Sequence, residues 1–118
     1  MRISILGVGS IGTLFAALLS RTEHELHLHG RGEHLAMIAT NGIDVIGEES
    51  FSVESQRFEL TFDEAGIPSR LDGSSDVVII AGKARSLDSL SKLAAKLLTT
   101  DGIAFAITNG LGHAERLS

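Results

Sequence analysis

The chain has 118 residues, 43% hydrophobic and 21% charged, with one proline and no cysteine. That length holds one compact domain, and the lack of cysteine excludes disulfides, thiolate zinc sites and a thiol nucleophile. Ten basic and fifteen acidic residues leave a formal charge of −5 with no basic run, and the aromatics are five Phe alone, so neither nucleic acid nor an anionic membrane is an expected partner.

In chain order, Met1-Arg2 followed by the uncharged stretch Ile3 to Ser20 looks superficially like a signal peptide. Gly7, Gly9, Ser10 and Gly12 break its apolar run, and Leu18-Leu19-Ser20 offers no small-x-small cleavage pattern. The stretch therefore reads as folded structure, and a cytoplasmic protein is expected. Ile3 to Leu6 is a short apolar run, as for a strand buried on both faces. Ile11, Leu14, Phe15, Leu18 and Leu19 then recur at helical spacing and predict one apolar helix face. Leu26 and Leu28 alternate with His27 and His29, a second strand. Glu33 to Thr40 predicts a short helix with Leu35, Ile38 and Ala39 inward and Asn41-Gly42 as its stop.

Ile43 to Ile46 reads as a weak third strand, and Phe51 to Phe62 alternates with period two, as strands or a hairpin. Asp63 to Asp76 holds Pro68, Gly66 and Gly73 and reads mainly as connection. Val77 to Ala81 is the strongest buried strand. Leu87, Leu90, Leu93, Ala94, Leu97 and Leu98 line one side of a following helix. Asp101-Gly102 predicts a turn, Ile103 to Ile107 a last strand, and His113 to Ser118 the start of a helix. This alternation predicts an α/β, Rossmann-like doubly wound fold with a mainly parallel sheet of order 3-2-1-4-5.

The chemistry concentrates where strands end. Gly7-Val8-Gly9-Ser10-Ile11-Gly12 matches G-x-G-x-x-G between a predicted buried strand and a predicted amphipathic helix. Gly7 would permit the tight turn, Gly9 the approach of a pyrophosphate, and Gly12 close packing of helix on strand. Ser10 and Ile11 would open the helix whose free N–H groups face the anion. A glycine-rich turn without a ligand is the competing reading. After the second strand comes Arg31, whose guanidinium suits the 2′-phosphate of NADP. Glu33 is the opposing sign, since an acid there would suit NAD, but it also fits the first turn of a helix. Two further strand ends carry Lys83 and Asn109, able to hold ribose hydroxyls or a substrate carboxylate, or else plain loop residues. His24, His27 and His29 cluster closely, but no further ligand set accompanies them, so no metal site is expected and ordinary hydrogen-bonded histidines are. No G-x-S-x-G motif supports a serine nucleophile.

With those residues in view, the chain resembles the N-terminal domain of the ketopantoate reductases (2-dehydropantoate 2-reductases). The resemblance runs through Ile3 to Gly12, Arg31-Gly32-Glu33-His34-Leu35, Asn41-Gly42-Ile43, Lys83-Ala84 and Asn109-Gly110-Leu111-Gly112 with Glu115. It implies NADPH as hydride donor, Arg31 on its 2′-phosphate, and Lys83 and Asn109 near the nicotinamide ribose and substrate. The implied reaction reduces ketopantoate, a small 2-oxoacid, to pantoate on the route to pantothenate. The family also carries a helical domain with a catalytic lysine and a substrate-binding glutamate, which these 118 residues do not include. Phe51 to Asp76, Gly82 and Arg85 depart from the family's pattern.

The expectation is therefore a cofactor-binding domain that binds NADPH and, alone, does not turn over. An apolar strip around Leu111 to Leu117 would give weak self-association. A stand-alone dinucleotide-sensing module without catalysis is the alternative from a different class.

Overall fold

In the computed structural model, which describes residues 1–81 and 87–107 without the side chain of Ser10, strand β1 (Arg2–Leu6) lies at the centre of the sheet. Ile3, Ile5 and Leu6 are each at most 5% exposed, because this strand is covered on both faces. Its neighbours are β2 (Glu25–Gly30) on one side and β6 (Ser75–Ile80) on the other, both parallel to it. Beyond them lie β5 (Phe58–Phe62) against β2 and β7 (Leu98–Ala106) against β6. Among the described residues this makes one five-stranded parallel sheet of order β5-β2-β1-β6-β7.

The predicted order holds, but its third strand is a different segment. Ile43 to Ile46 does not join the sheet. Instead β3 (Ile43–Val45) pairs antiparallel with β4 (Phe51–Val53) as a separate ribbon. The Phe51 to Phe62 alternation is thus split between two sheets by a 3-10 turn, Ser55–Arg57. Arg57 fixes that junction, donating to the carbonyls of Ser20, Thr22 and His24. Asp101-Gly102 lies within β7, where the ladder with β6 breaks between Ser75 and Val77. The predicted helix from His113 lies outside the described residues.

Helices α1 (Ser10–Leu19) and α2 (Gly32–Asn41) sit with the larger core, which joins Ile3, Ile5, Leu26, Leu28, Leu35 and Ile38. Helix α3 (Leu87–Leu97) brings Leu90, Ala94 and Leu97 onto Leu6, Val78 and Ile80 of the opposite face. Each fully buried Leu or Ile contributes about 1.5–3 kcal/mol relative to exposure.

Two predicted helix faces need correction. Leu14 and Leu18 are about half exposed, and Ala16 and Ala17 are buried in their place. The reason is proximity: a Cβ on Gly12 would stand 3.4 Å from Ala81 Cβ and 3.5 Å from Ile5 Cγ2. A helix held that near the sheet takes small side chains beneath it. Ala39 is likewise exposed, and α2 buries Leu35 and Ile38 alone. Among the described residues, no helix is long and apolar enough to cross a membrane.

Candidate functional site: a dinucleotide corner at the carboxyl edge

The carboxyl ends of β1 and β2 are tied together before any ligand is considered. The Gly7 amide donates to the His29 carbonyl at 2.8 Å, and the Val8 amide shares the same oxygen at 3.3 Å. Gly7 has φ +79°, a left-handed conformation that glycine adopts without strain. The turn also passes close to Gly30, a residue the motif does not contain. A Cβ there would lie 3.2 Å from the Val8 nitrogen, so a side chain at the end of β2 would press the loop backbone by a few tenths of an ångström.

Gly9 is the N-cap of α1. Its carbonyl accepts from the Thr13 amide at 2.9 Å, so the preceding first-turn amides have no partner in the helix ladder. Among the described residues, a Cβ built on Gly9 meets nothing within 4 Å. Within that part of the structure, open space adjoins free N–H groups and the positive end of a helix dipole. A pyrophosphate fits this corner. Gly7, Gly9, Ser10, Ile11 and Gly12 are thus brought together as one turn and first helical turn, Ile11 partly buried.

Arg31 is the N-cap of α2 and exposed, one residue past β2, with Glu33 in the first turn of the same helix. That matches the expected position of both charges. Lys83 and Asn109 lie outside the described residues, as does the Leu111 to Leu117 strip.

Two acidic residues from the end of β5 complete the corner, and the sequence reading did not single them out. The parallel register sets Phe62 beside Gly30, and the Asp63 amide donates to the Gly30 carbonyl at 2.8 Å. The turn then closes on the Phe62 carbonyl through the Ala65 and Gly66 amides, with Gly66 at φ +77°. Glu64 is thereby turned back over α2, and the Gly32 amide donates to its Oε1 at 3.2 Å. No local sequence pattern marks Glu64, because strand pairing brings it there.

Beneath the corner runs a buried polar chain. His27 is fully buried and His29 is 2% exposed. His27 Nδ1 lies 2.8 Å from Ser4 Oγ and Nε2 lies 2.7 Å from Thr61 Oγ1. Thr61 Oγ1 is also 2.8 Å from His29 Nδ1, and Ser4 Oγ is 2.7 Å from Ser75 Oγ. Burial, with the Arg2 charge adding to it, lowers the His27 pKa to about 4. At the amino end of the sheet, Arg2 and Arg70 both donate to Glu59 and hold its carboxyl below the usual range. The expectation of ordinary hydrogen-bonded histidines is met by these two. A separate cleft of about 460 Å³, between Arg21, Phe51, Glu54 and Arg57, opens at the amino end, away from the glycine turn.

Comparison with known proteins identifies the family and the fold. The family model described as ketopantoate reductase PanE/ApbA matches residues 3–118. A 2-dehydropantoate 2-reductase from Listeria innocua is 32% identical over 120 residues, covering 100% of this chain and 37% of that protein. One from Pyrococcus abyssi is 26% identical over 117 residues, covering 99% of this chain and 36% of its own length. The crystal structure of 2-dehydropantoate 2-reductase from Geobacter metallireducens superposes with TM-score 0.73 at 27% identity, over 99% of this chain and 36% of that one. D-mandelate dehydrogenase, in a ternary structure with NADH and anilino(oxo)acetate, shares the fold with TM-score 0.75 at 21% identity, over 99% and 36% of the two chains. The chain therefore spans little more than a third of the length of these relatives.

Proposed function

The chain belongs to the ketopantoate reductase family, and we propose that it is the NADP-binding part of a reductase acting on a 2-oxoacid, ketopantoate in the first instance. The observation that carries this reading is the open space at Gly9 over the first turn of α1, with Arg31 at the N-cap of α2 beside it.

The amides of that turn hold the pyrophosphate, and the α1 dipole adds to the attraction. Arg31 holds the ribose 2′-phosphate by a charge-assisted contact. When bound, the reduced cofactor would supply a hydride to the 2-oxo carbon, and a proton from water or an acid would complete the hydroxyl of pantoate. Lys83 and Asn109, from the family resemblance, hold the nicotinamide ribose or the substrate. We assign these residues binding and orientation, and expect the chain alone to bind NADPH without turning over ketopantoate.

Calorimetric titration tests the reading. Arg31→Ala should weaken NADPH by about 10- to 150-fold, the loss of roughly 1.5–3 kcal/mol, and leave NADH nearly unchanged. Equal weakening of both, or tighter NADH binding by the unsubstituted protein, would refute the NADP assignment.

A further inference from the structure

Two opposite charges stand at one helix end, where the ribose 2′ substituent is expected. Arg31 caps α2 from the β2 side, and Glu64 reaches the same helix end from β5. A 2′-phosphate there would draw on the Arg31 guanidinium, the α2 dipole and the first α2 amides. The Glu64 carboxylate already accepts the Gly32 amide. Its hold is close: a Cβ on Gly32 would meet Glu64 Oε2 at 3.0 Å and Oε1 at 3.2 Å. Nor is it a chance rotamer of a free loop, since Asp63 is pinned to Gly30 and the turn is closed on Phe62.

We propose that Glu64 narrows the cofactor discrimination of this site, its carboxylate standing where the 2′-phosphate must enter and favouring a 2′-hydroxyl. The inference rests on the dinucleotide reading above and goes beyond it. A ribose hydroxyl donates to a carboxylate, so an unphosphorylated dinucleotide gains a partner from Glu64. A 2′-phosphate must displace the carboxylate from the Gly32 amide and then endure its charge. Arg31 and Glu64 thus pull the preference in opposite directions, and the net selectivity for NADPH is smaller than Arg31 alone would give.

The substitution Glu64→Gln keeps the side chain's length and its acceptor for the Gly32 amide while removing the charge. NADPH and NADH affinities are measured by titration for the unsubstituted protein, Glu64→Gln, Glu64→Ala and Arg31→Ala. Adenosine 2′,5′-bisphosphate and 5′-AMP serve as probes of the corner alone. Both Glu64 variants should raise the NADPH-to-NADH affinity ratio about 1.5- to fivefold, the range for an exposed charge pair, and the bisphosphate-to-AMP ratio with it. The gain should shrink at about 0.5 M salt. Unchanged ratios in both Glu64 variants, with Arg31→Ala still selective against NADPH, would overturn the inference and leave the cofactor reading standing. If Arg31→Ala weakens both cofactors equally, the reading itself fails and the inference falls with it.

Discussion

His29 Nε2 lies 3.4 Å from the Oδ1 of Asp63, so the buried chain of hydroxyls and imidazoles ends on an exposed carboxylate. One direction of donation then satisfies the whole chain with both rings neutral. Ser75 donates to Ser4, and Ser4 to His27 Nδ1. His27 Nε2–H donates to Thr61, and Thr61 to His29 Nδ1. His29 Nε2–H faces Asp63. Each hydroxyl and each ring gives one proton and receives one, apart from the terminal Ser75. The same Asp63 donates its amide to Gly30, so the polar chain and the end of β2 share an anchor.

Protonating His27 would force its Nδ1 to become a donor and break that direction, in a place where burial already opposes charge. Its folded pKa of about 4 lies below the ordinary 6.5. Between those values the unfolded chain binds more protons than the folded one, so stability falls as pH drops from 6.5 towards 4. His27 alone should remove about 3 kcal/mol across that window. Denaturant unfolding at several pH values measures it, with His27→Gln as the reference that lacks the titration. A parallel pH dependence in the two proteins would contradict the assignment. Glu59 adds a loss of the same sign lower down, below its ordinary pKa of 4.5, since its folded pKa is depressed by the Arg2 hydrogen bond.

What could be read from the sequence was what repeats locally. The change of hydrophobic period gave α/β, and the position of Gly7 to Gly12 between β1 and α1 gave the corner. The misassigned third strand shows where this stops. Ile43 to Val45 and Phe58 to Phe62 are both short apolar alternations, and only pairing with β2 selects the second. Leu14 and Leu18 fit a helical stripe as well as Ala16 does. How closely α1 approaches β1 decides among them, and that is a tertiary quantity. Glu64 lies 32 residues from Gly32 and enters the corner through sheet register alone.

Gly42 was expected as a helix stop, and the structure makes it a demanding one. It has φ +70°, its amide donates to the Ile38 carbonyl at 2.8 Å, and a Cβ would overlap the Val53 carbonyl oxygen of the ribbon. Gly66 has a similar φ of +77° but, among the described residues, nothing within 4 Å of its Cβ position. Gly66→Ala should therefore cost about 1 kcal/mol, the backbone strain alone. Gly42→Ala carries the same strain and must also displace β4, for a total of about 3 kcal/mol or more. Equal losses in the two variants, measured by thermal or denaturant unfolding, would show that the β3–β4 ribbon yields freely.

Gly9 separates ligand binding from folding. Its φ of −118° is open to any residue, and a Cβ there touches no atom of the described residues. A methyl group at that point instead fills the space over the first turn of α1, where the proposed pyrophosphate would approach backbone. Gly9→Ala should keep the fold within about 0.5 kcal/mol, as for a surface substitution. Dinucleotide affinity should fall at least about tenfold, for NADPH and NADH alike, since the pyrophosphate is common to both. Gly12→Ala gives the contrast: its Cβ enters contact with Ala81 and Ile5, so any cost appears first in stability. Titration and unfolding of the two variants measure both quantities. Full retention of dinucleotide affinity by Gly9→Ala would mean that the pyrophosphate does not lie over this turn, and that Arg31 and Glu64 face something else.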